Sequence, residues 1–157
     1  MLKLKTIVID RTRSSFLKEG ESFYRKRLRR YVQMDWIEVK PARIKKGRSD
    51  MEILATESRS IDQKLAPGDY LVPLHSTGYS FSSEELAVWL DELSTRTRGW
   101  VTFIIGGPLG LSQDLLDRGQ KTLSLSRLTL THEMARLVLL EQLYRAFTIL
   151  RGEKYHK

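Results

Sequence analysis

The chain has no cysteine, so neither a disulfide framework nor a thiolate metal site can be built, and three histidines are the only soft ligands left. No bound metal is expected. No apolar run approaches the roughly 20 residues that a membrane-spanning helix needs, and the opening Met1-Leu2-Lys3-Leu4-Lys5-Thr6-Ile7-Val8-Ile9 lacks a stretch of signal-peptide length. A soluble, cytoplasmic protein with no membrane partner is expected. A G-x-x-x-x-G-K-S/T loop is also missing, which removes support for nucleoside triphosphate hydrolysis. The first strand-like segment runs into Asp10-Arg11-Thr12-Arg13, where a dinucleotide-binding fold would carry its glycine fingerprint.

What is present fills one ordinary domain: 157 residues, 41% of them hydrophobic, enough for a single core spanning residues 1–157. The net charge of +8 is unevenly spread. Residues 1–50 hold 15 Lys and Arg against 6 Asp and Glu, whereas residues 51–157 hold 12 against 13. Such a bias suits a polyanion-binding face, because each phosphate neutralised by a cationic side chain releases a condensed counterion. A solvated, lysine-rich surface that only aids solubility is the competing reading of the same charge.

Strand-like and helix-like segments alternate from end to end, which predicts an α/β fold: a mostly parallel sheet with helices on both faces. Leu2 to Ile9 reads as a strand, and a helix follows from about Ser15 to Tyr31 with Phe16, Phe23, Tyr24, Leu28 and Tyr31 inward. Trp36 to Val39 is a short strand, and Pro41 to Arg48 is an exposed basic loop carrying Arg43, Lys45, Lys46 and Arg48. Ser49-Asp50-Met51-Glu52 and Ser82-Ser83-Glu84-Glu85 have capping-box spacing. They open helices running to Leu65 and to a point before Gly99, the second with Leu86, Trp89, Leu90 and Leu93 inward. Between them Asp69 to Leu74 is a strand, with Pro73 at its end or on an unpaired edge. Trp100 to Ile105 reads as a central strand buried on both faces. Ser112 caps a short helix, Lys121 to Leu125 is a last strand, and a long helix runs from His132 to Leu150. Its apolar residues, Leu137, Val138, Leu139, Leu140, Leu143, Phe147 and Leu150, occupy more than one stripe, which predicts packing on both the sheet and a second subunit.

The loops after the last three strands should meet at the carboxyl edge of the sheet, where such folds bind ligands. They are Leu74-His75-Ser76-Thr77-Gly78, Gly106-Gly107-Pro108-Leu109-Gly110, and Leu125-Ser126-Arg127-Leu128-Thr129-Leu130. Gly106-Gly107 allows a sharp turn and a close approach of the backbone to a flat ligand, although in isolation the motif is equally a plain tight turn. His75, at a strand end, is expected to satisfy a local hydrogen bond rather than to join a catalytic group.

These loops carry a resemblance, as do Thr131-His132-x-x-x-Arg136, Glu141-Gln142-Leu143-Tyr144-Arg145-Ala146-Phe147 and Arg151-Gly152-Glu153-Lys154-Tyr155-His156-Lys157. The chain resembles the ribosomal RNA large-subunit methyltransferase H family, small members of the SPOUT superfamily. The resemblance implies a homodimeric SPOUT-type fold with a C-terminal trefoil knot. It also implies S-adenosyl-L-methionine as methyl donor, held by Leu74, Gly106 and the run Leu125, Ser126, Arg127, Leu128, Thr129 and Leu130. The implied product is pseudouridine methylated at N3 in 23S ribosomal RNA of the assembled ribosome, with no metal. The chain departs from the family pattern at Ile9-Asp10-Arg11-Thr12, where many members have a glycine, at Leu109, a position often polar, and at Pro73.

A sulfonium methyl is already electrophilic, so such an enzyme needs mainly alignment and help in losing the imide proton. His132 is the candidate to take that proton, and Arg136, one turn later, to hold a phosphate or a developing imide anion. The alternative is that His132 caps the helix start and Arg136 makes a structural ion pair. Tyr155 and His156 are candidates to stack on or hydrogen-bond the target base, the alternative being a frayed tail. A non-catalytic ribosome-associated RNA-binding factor would need the basic region but not three coordinated loops, and a methyltransferase of another RNA, such as transfer RNA, would share them.

Overall fold

In the computed structural model, which describes residues 1–43 and 47–157, alternate side chains of the first strand enter two different cores. Strand β1 (Lys3–Ile9) turns Leu4 and Val8 toward one face of the sheet and Ile7 and Ile9 toward the other. Helices α1 (Ser15–Leu28), α3 (Ser83–Arg96) and α5 (His132–Leu150) cover the first face, and α2 (Asp50–Asp62) and α4 (Gln113–Arg118) the second. The remaining strands are β2 (Gln33–Val39), β3 (Tyr70–Ser80), β4 (Val101–Ile105) and β5 (Leu123–Ser124). The sheet is parallel throughout, in the order β2-β1-β4-β3-β5. Central β4 is buried at every residue, as its unbroken apolar run requires. Each fully buried Leu, Ile, Val or Phe of these cores contributes roughly 1.5–3 kcal/mol relative to exposure.

Helix boundaries follow their caps. Ser82 accepts from the Glu85 amide and Glu85 returns to the Ser82 amide, completing the capping box of α3, and Leu86, Trp89, Leu90 and Leu93 are buried as expected. At α2 only the first half of the exchange forms, Ser49 accepting from the Glu52 amide at 3.2 Å, and the helix ends at Asp62 rather than Leu65. Ser112 caps α4, and Thr131 rather than His132 caps α5, accepting from the Met134 amide at 3.1 Å.

Two expectations are corrected. On α1 the buried residues are Leu17, Glu21 and Leu28, while Phe16 is 65% and Phe23 46% exposed. The helix is turned by Gly20, which lies so close to Leu137 of α5 that a Cβ there would stand 2.8 Å from Leu137 Cδ1. Buried Glu21 then faces the end of β1, donated to by the Thr12 hydroxyl at 2.9 Å. On β3 the strand does not stop at Leu74: Pro73 is the last residue to pair with β4, opposite Ile104, and its ring packs against Gly119, ahead of the point where β5 begins to pair. The strand continues to Ser80, pairing again with β5 at Tyr79 and Ser80 after a break in register.

The basic loop after β2 is only partly described: Arg43 is exposed and Arg48 half-buried, while Lys45 and Lys46 lie outside the described residues. Among the described residues no helix is long and apolar enough to cross a membrane.

Candidate functional site

The site begins at β4. Its fully buried strand delivers the chain to Gly106 and Gly107, which turn back on themselves: the Gly110 amide donates to the Gly107 carbonyl at 2.9 Å, and Gly110 adopts φ +77°. A Cβ on Gly106 would collide with the Gly110 carbonyl. The glycine is therefore required by the turn itself, one of the two reasons the sequence offered for it.

Beside this turn lie two further segments. The middle of β3, where its register with β5 breaks, contributes Leu74, His75 and Ser76, and the connection from β5 to α5 contributes Leu125, Ser126 and Leu128 to Thr131. Together with Gly106 to Gly110 they enclose a cavity of about 610 Å³, inside the range of roughly 300–1,000 Å³ typical of small-molecule sites. Of the residues expected to hold a methyl donor, Leu74, Gly106, Leu125, Ser126, Leu128, Thr129 and Leu130 line it, and exposed Arg127 does not. Leu74 pairs with Leu123, and with Leu125 and Ile105 they give the wall an apolar cradle. Among the described residues, nothing on this wall is Asp, Glu, Lys or Arg.

His132, the first residue of α5, stands on the same cavity wall. Its imidazole is held below the ordinary histidine value by burial and then by the Arg136 charge, with Glu133 and Asp10 opposing. It is thus disposed to be neutral, able to accept a proton. Arg136 does not share the wall. It is fully buried, donating to the Ile9 carbonyl at 2.5 Å and to the Thr12 hydroxyl at 2.9 Å, with the Glu21 carboxylate as its main electrostatic partner. The expectation that Arg136 grips a phosphate or an imide anion does not fit this placement, because the guanidinium faces the inside of the fold. It ties α5 to the carboxyl end of β1. The next turn is tied as well: Glu133 Oε1 accepts from the amides of Arg13 and Ser14, both at 3.1 Å, satisfying the start of α1 where Ser14 provides no side-chain cap.

The departure at Ile9-Asp10 is resolved locally. Asp10 adopts φ +68°, the left-handed region that glycine favours, and its carboxylate accepts from the Arg11 amide at 2.8 Å and Arg13 Nη2 at 2.9 Å. Aspartate tolerates this conformation because its side chain bonds its own turn.

Tyr155 and His156 do not line this chain's cavity. They are ordered against the far part of α5: the Tyr155 hydroxyl donates to Glu141 at 3.1 Å, and His156 Nε2 lies 2.7 Å from Glu84 and Nδ1 3.3 Å from Arg145. Glu141 is nine residues beyond His132, ~13 Å along the helix. Glu153 anchors the same tail by accepting from the Tyr31 hydroxyl at 2.8 Å. Burial, with that bond, pushes the Tyr31 phenol up to about 12.

A second concavity of about 570 Å³ lies between Lys40 to Arg43, Gly47, Arg48 and the outer side of α2. It shares no lining residue with the first cavity and takes none from the three converging loops, so the chemistry is assigned to the first. Among the described residues no group of three or more His, Asp or Glu is placed to hold a metal ion.

Residues 2–156 match the family model described as predicted SPOUT methyltransferase. A ribosomal RNA large subunit methyltransferase H of Bacillus thuringiensis is 40% identical over 99% of this chain and 100% of its own length. Its namesake in Streptococcus pneumoniae is 39% identical over the same shares. Solved structures repeat the fold: a probable methylase family protein from Haemophilus influenzae superposes with TM-score 0.56 at 13% identity, over 97% of this chain and 67% of the other. A probable methyltransferase from Bordetella pertussis does so with TM-score 0.54 at 15% identity, over 92% and 96%.

Proposed function

Because the chain belongs to the SPOUT methyltransferase family, we propose that it transfers a methyl group from S-adenosylmethionine to N3 of a pseudouridine in 23S ribosomal RNA of the assembled ribosome. The observation that carries this reading is the convergence of three loops on one uncharged cavity with a near-neutral histidine on its wall. Full-length relatives named for methylation of large-subunit ribosomal RNA support the substrate.

The residues present suit the methyl donor. Leu74, Leu123 and Leu125 offer apolar faces to a flat heteroaromatic ring, and the main chain of Gly106 and of Leu125 to Leu130 offers amides and carbonyls to its edge. When bound, the donor supplies an activated, sulfonium-borne methyl. The protein's own part is orientation and proton transfer. His132, kept neutral by burial and by Arg136, accepts the imide proton of the base. Arg136, Thr12 and Glu21 fix the helix that carries it.

The RNA backbone is gripped by the basic first 50 residues. Along α1 and β2, guanidinium groups lie over aromatic rings, Arg25 on Trp36 at 5.0 Å and Arg27 on Phe23 at 3.3 Å, a pairing that also suits unstacked bases. The active form is a homodimer. Exposed Phe16 and Phe23 and the incompletely covered Leu137, Val138 and Leu150 supply apolar surface for it, and the ordered Tyr155-His156 tail reaches the base in the partner's cavity. The C-terminal trefoil knot belongs to the same reading.

A methyltransferase of another RNA, such as transfer RNA, would share this cavity, and a non-catalytic RNA-binding factor would not need it. Equilibrium binding of S-adenosylmethionine separates the last case: saturable binding to the parent protein is expected, and its absence would remove the enzymatic reading.

A further inference from the structure

His75, in the middle of β3 where its pairing with β5 breaks between Leu74 and Tyr79, satisfies its local hydrogen bonds with one ring nitrogen only. The Thr77 amide donates to His75 Nδ1 at 3.1 Å, and the Thr77 hydroxyl lies 2.7 Å from the same atom. A main-chain amide can only donate, so Nδ1 is the acceptor and the ring proton sits on Nε2. Among the described residues Nε2 has no protein partner, and His75 is an exposed residue on the cavity wall.

The other polar side chains of the wall include the hydroxyls of Ser76 and Thr129, whose protons rotate and fix no direction. Ser126 Oγ accepts from the Leu128 amide at 3.0 Å, Thr131 caps α5, and His132 stands at the other end. With no Asp, Glu, Lys or Arg on the wall, the His75 N–H is its one ring donor of fixed direction on the β3 side.

Position selects what it meets. α5 is tied through Arg136 to the end of β1, and β4 lies between β1 and β3 in the sheet, so the cavity carries His132 from the β1 side and His75 from the β3 side. A donor whose methyl points toward His132 has its nucleoside over Leu74 and Leu123, the immediate neighbours of His75. The group adjoining that ring is the ribose, whose hydroxyl oxygens accept hydrogen bonds.

We propose that His75 binds the methyl donor, its Nε2–H donating to a ribose hydroxyl of the nucleoside and so selecting ribonucleoside over deoxyribonucleoside donors. This rests on the methyl-transfer reading and adds to it a residue that positions the donor. His75 takes no part in proton transfer.

The test is calorimetric binding of S-adenosylhomocysteine and of its 2′-deoxy and 3′-deoxy analogues to the full chain, parent and variants, with circular dichroism as a check of folding. His75→Ala should weaken binding of the ribonucleoside roughly three- to tenfold, the value of one hydrogen bond. It should leave unchanged the affinity for whichever deoxy analogue lacks the contacted hydroxyl. His75→Gln, whose amide N–H reaches close to the Nε2 position, should restore most of the loss. If the parent binds no S-adenosylhomocysteine, the methyl-transfer reading fails and takes this inference with it. If the parent binds but His75→Ala binds equally well, or weakens both deoxy analogues as much as the ribonucleoside, only the role of His75 is overturned.

Discussion

Arg136 on α5 donates to the main-chain carbonyl of Ile9 at 2.5 Å, across the gap between the last helix and the first strand. The bond joins chain segments 127 residues apart and closes the fold beneath His132. Its removal should cost more than a surface contact. Arg136→Ala removes the donor to the Ile9 carbonyl and the Thr12 hydroxyl and the larger of the two cationic charges acting on buried Glu21, and is expected to lower stability by roughly 3–5 kcal/mol. Arg136→Met with Glu21→Leu should recover much of that loss. Urea denaturation of Arg136→Ala, Arg136→Met, Glu21→Leu and the double variant measures both, and additive losses in the double variant would contradict a shared network.

The same guanidinium sets a pH dependence. Burial and Arg136 hold the folded His132 below its ordinary value. The unfolded chain therefore binds the proton first as pH falls, so stability is full above the ordinary histidine range and declines as pH drops through it toward the folded value. The acid limb of methyl transfer should lie correspondingly low. In Arg136→Met, which keeps burial but removes the charge, the His132 titration followed by nuclear magnetic resonance should move to higher pH. No movement would separate the two residues.

Glu57 behaves in the opposite sense. Burial pushes its carboxyl up, and its recorded partner is the Ala42 amide at 3.2 Å. A raised folded value means that stability is lost as pH rises from the unfolded carboxylate range through the folded value. Glu57→Gln, which still accepts from Ala42, should match or exceed the parent in melting temperature at neutral pH, with the advantage shrinking in acid. A lower melting temperature at neutral pH would show that the carboxylate has an unrecognised partner.

The glycine turn gives a sharper result. Gly106→Ala drives a methyl into the Gly110 carbonyl and should destabilise the protein by roughly 1–3 kcal/mol while also abolishing donor binding. Gly107→Ala meets only ordinary contacts, the nearest being Ile9 Cγ2 at 3.4 Å, and should retain both. Thermal melts and binding isotherms of the pair report whether the backbone path at Gly106 shapes the cavity.

The tail separates donor binding from catalysis. Deleting Tyr155 to Lys157 removes contacts to Glu141, Glu84 and Arg145 but none on the cavity wall of the same chain. Donor binding should persist and methyl transfer should fall by at least tenfold. Mixing this truncated protein with His132→Ala should regain activity, since one cavity of a mixed dimer then has both an intact histidine and an intact tail. Mixtures no more active than their components would place each tail on its own chain's site.

Much of this was legible where short-range chemistry decides. The Ser82–Glu85 cap, Ser112 before α4 and the apolar run of β4 fix their elements through neighbouring residues alone. The inward face of α1 was not, because Phe16, Phe23 and Leu17 are equally apolar in sequence, and the choice falls to Gly20 against Leu137, a contact spanning most of the chain. Arg136 was misplaced for a related reason: its i+4 spacing from His132 is visible in sequence, but its partners at Ile9 and Thr12 are not. His75 was read correctly as locally bonded, and only the geometry reveals that one nitrogen does all of that bonding.

The central claim is tested most directly by incubating the protein and isotopically labelled S-adenosylmethionine with intact ribosomes, free subunits and naked ribosomal and transfer RNA from cells lacking the activity. Digestion and mass spectrometry then locate the label. Label in intact ribosomes, on N3 of a pseudouridine in 23S ribosomal RNA, is the expected result. Label spread equally over all the RNAs, confined to transfer RNA, or absent from ribosomes would contradict it.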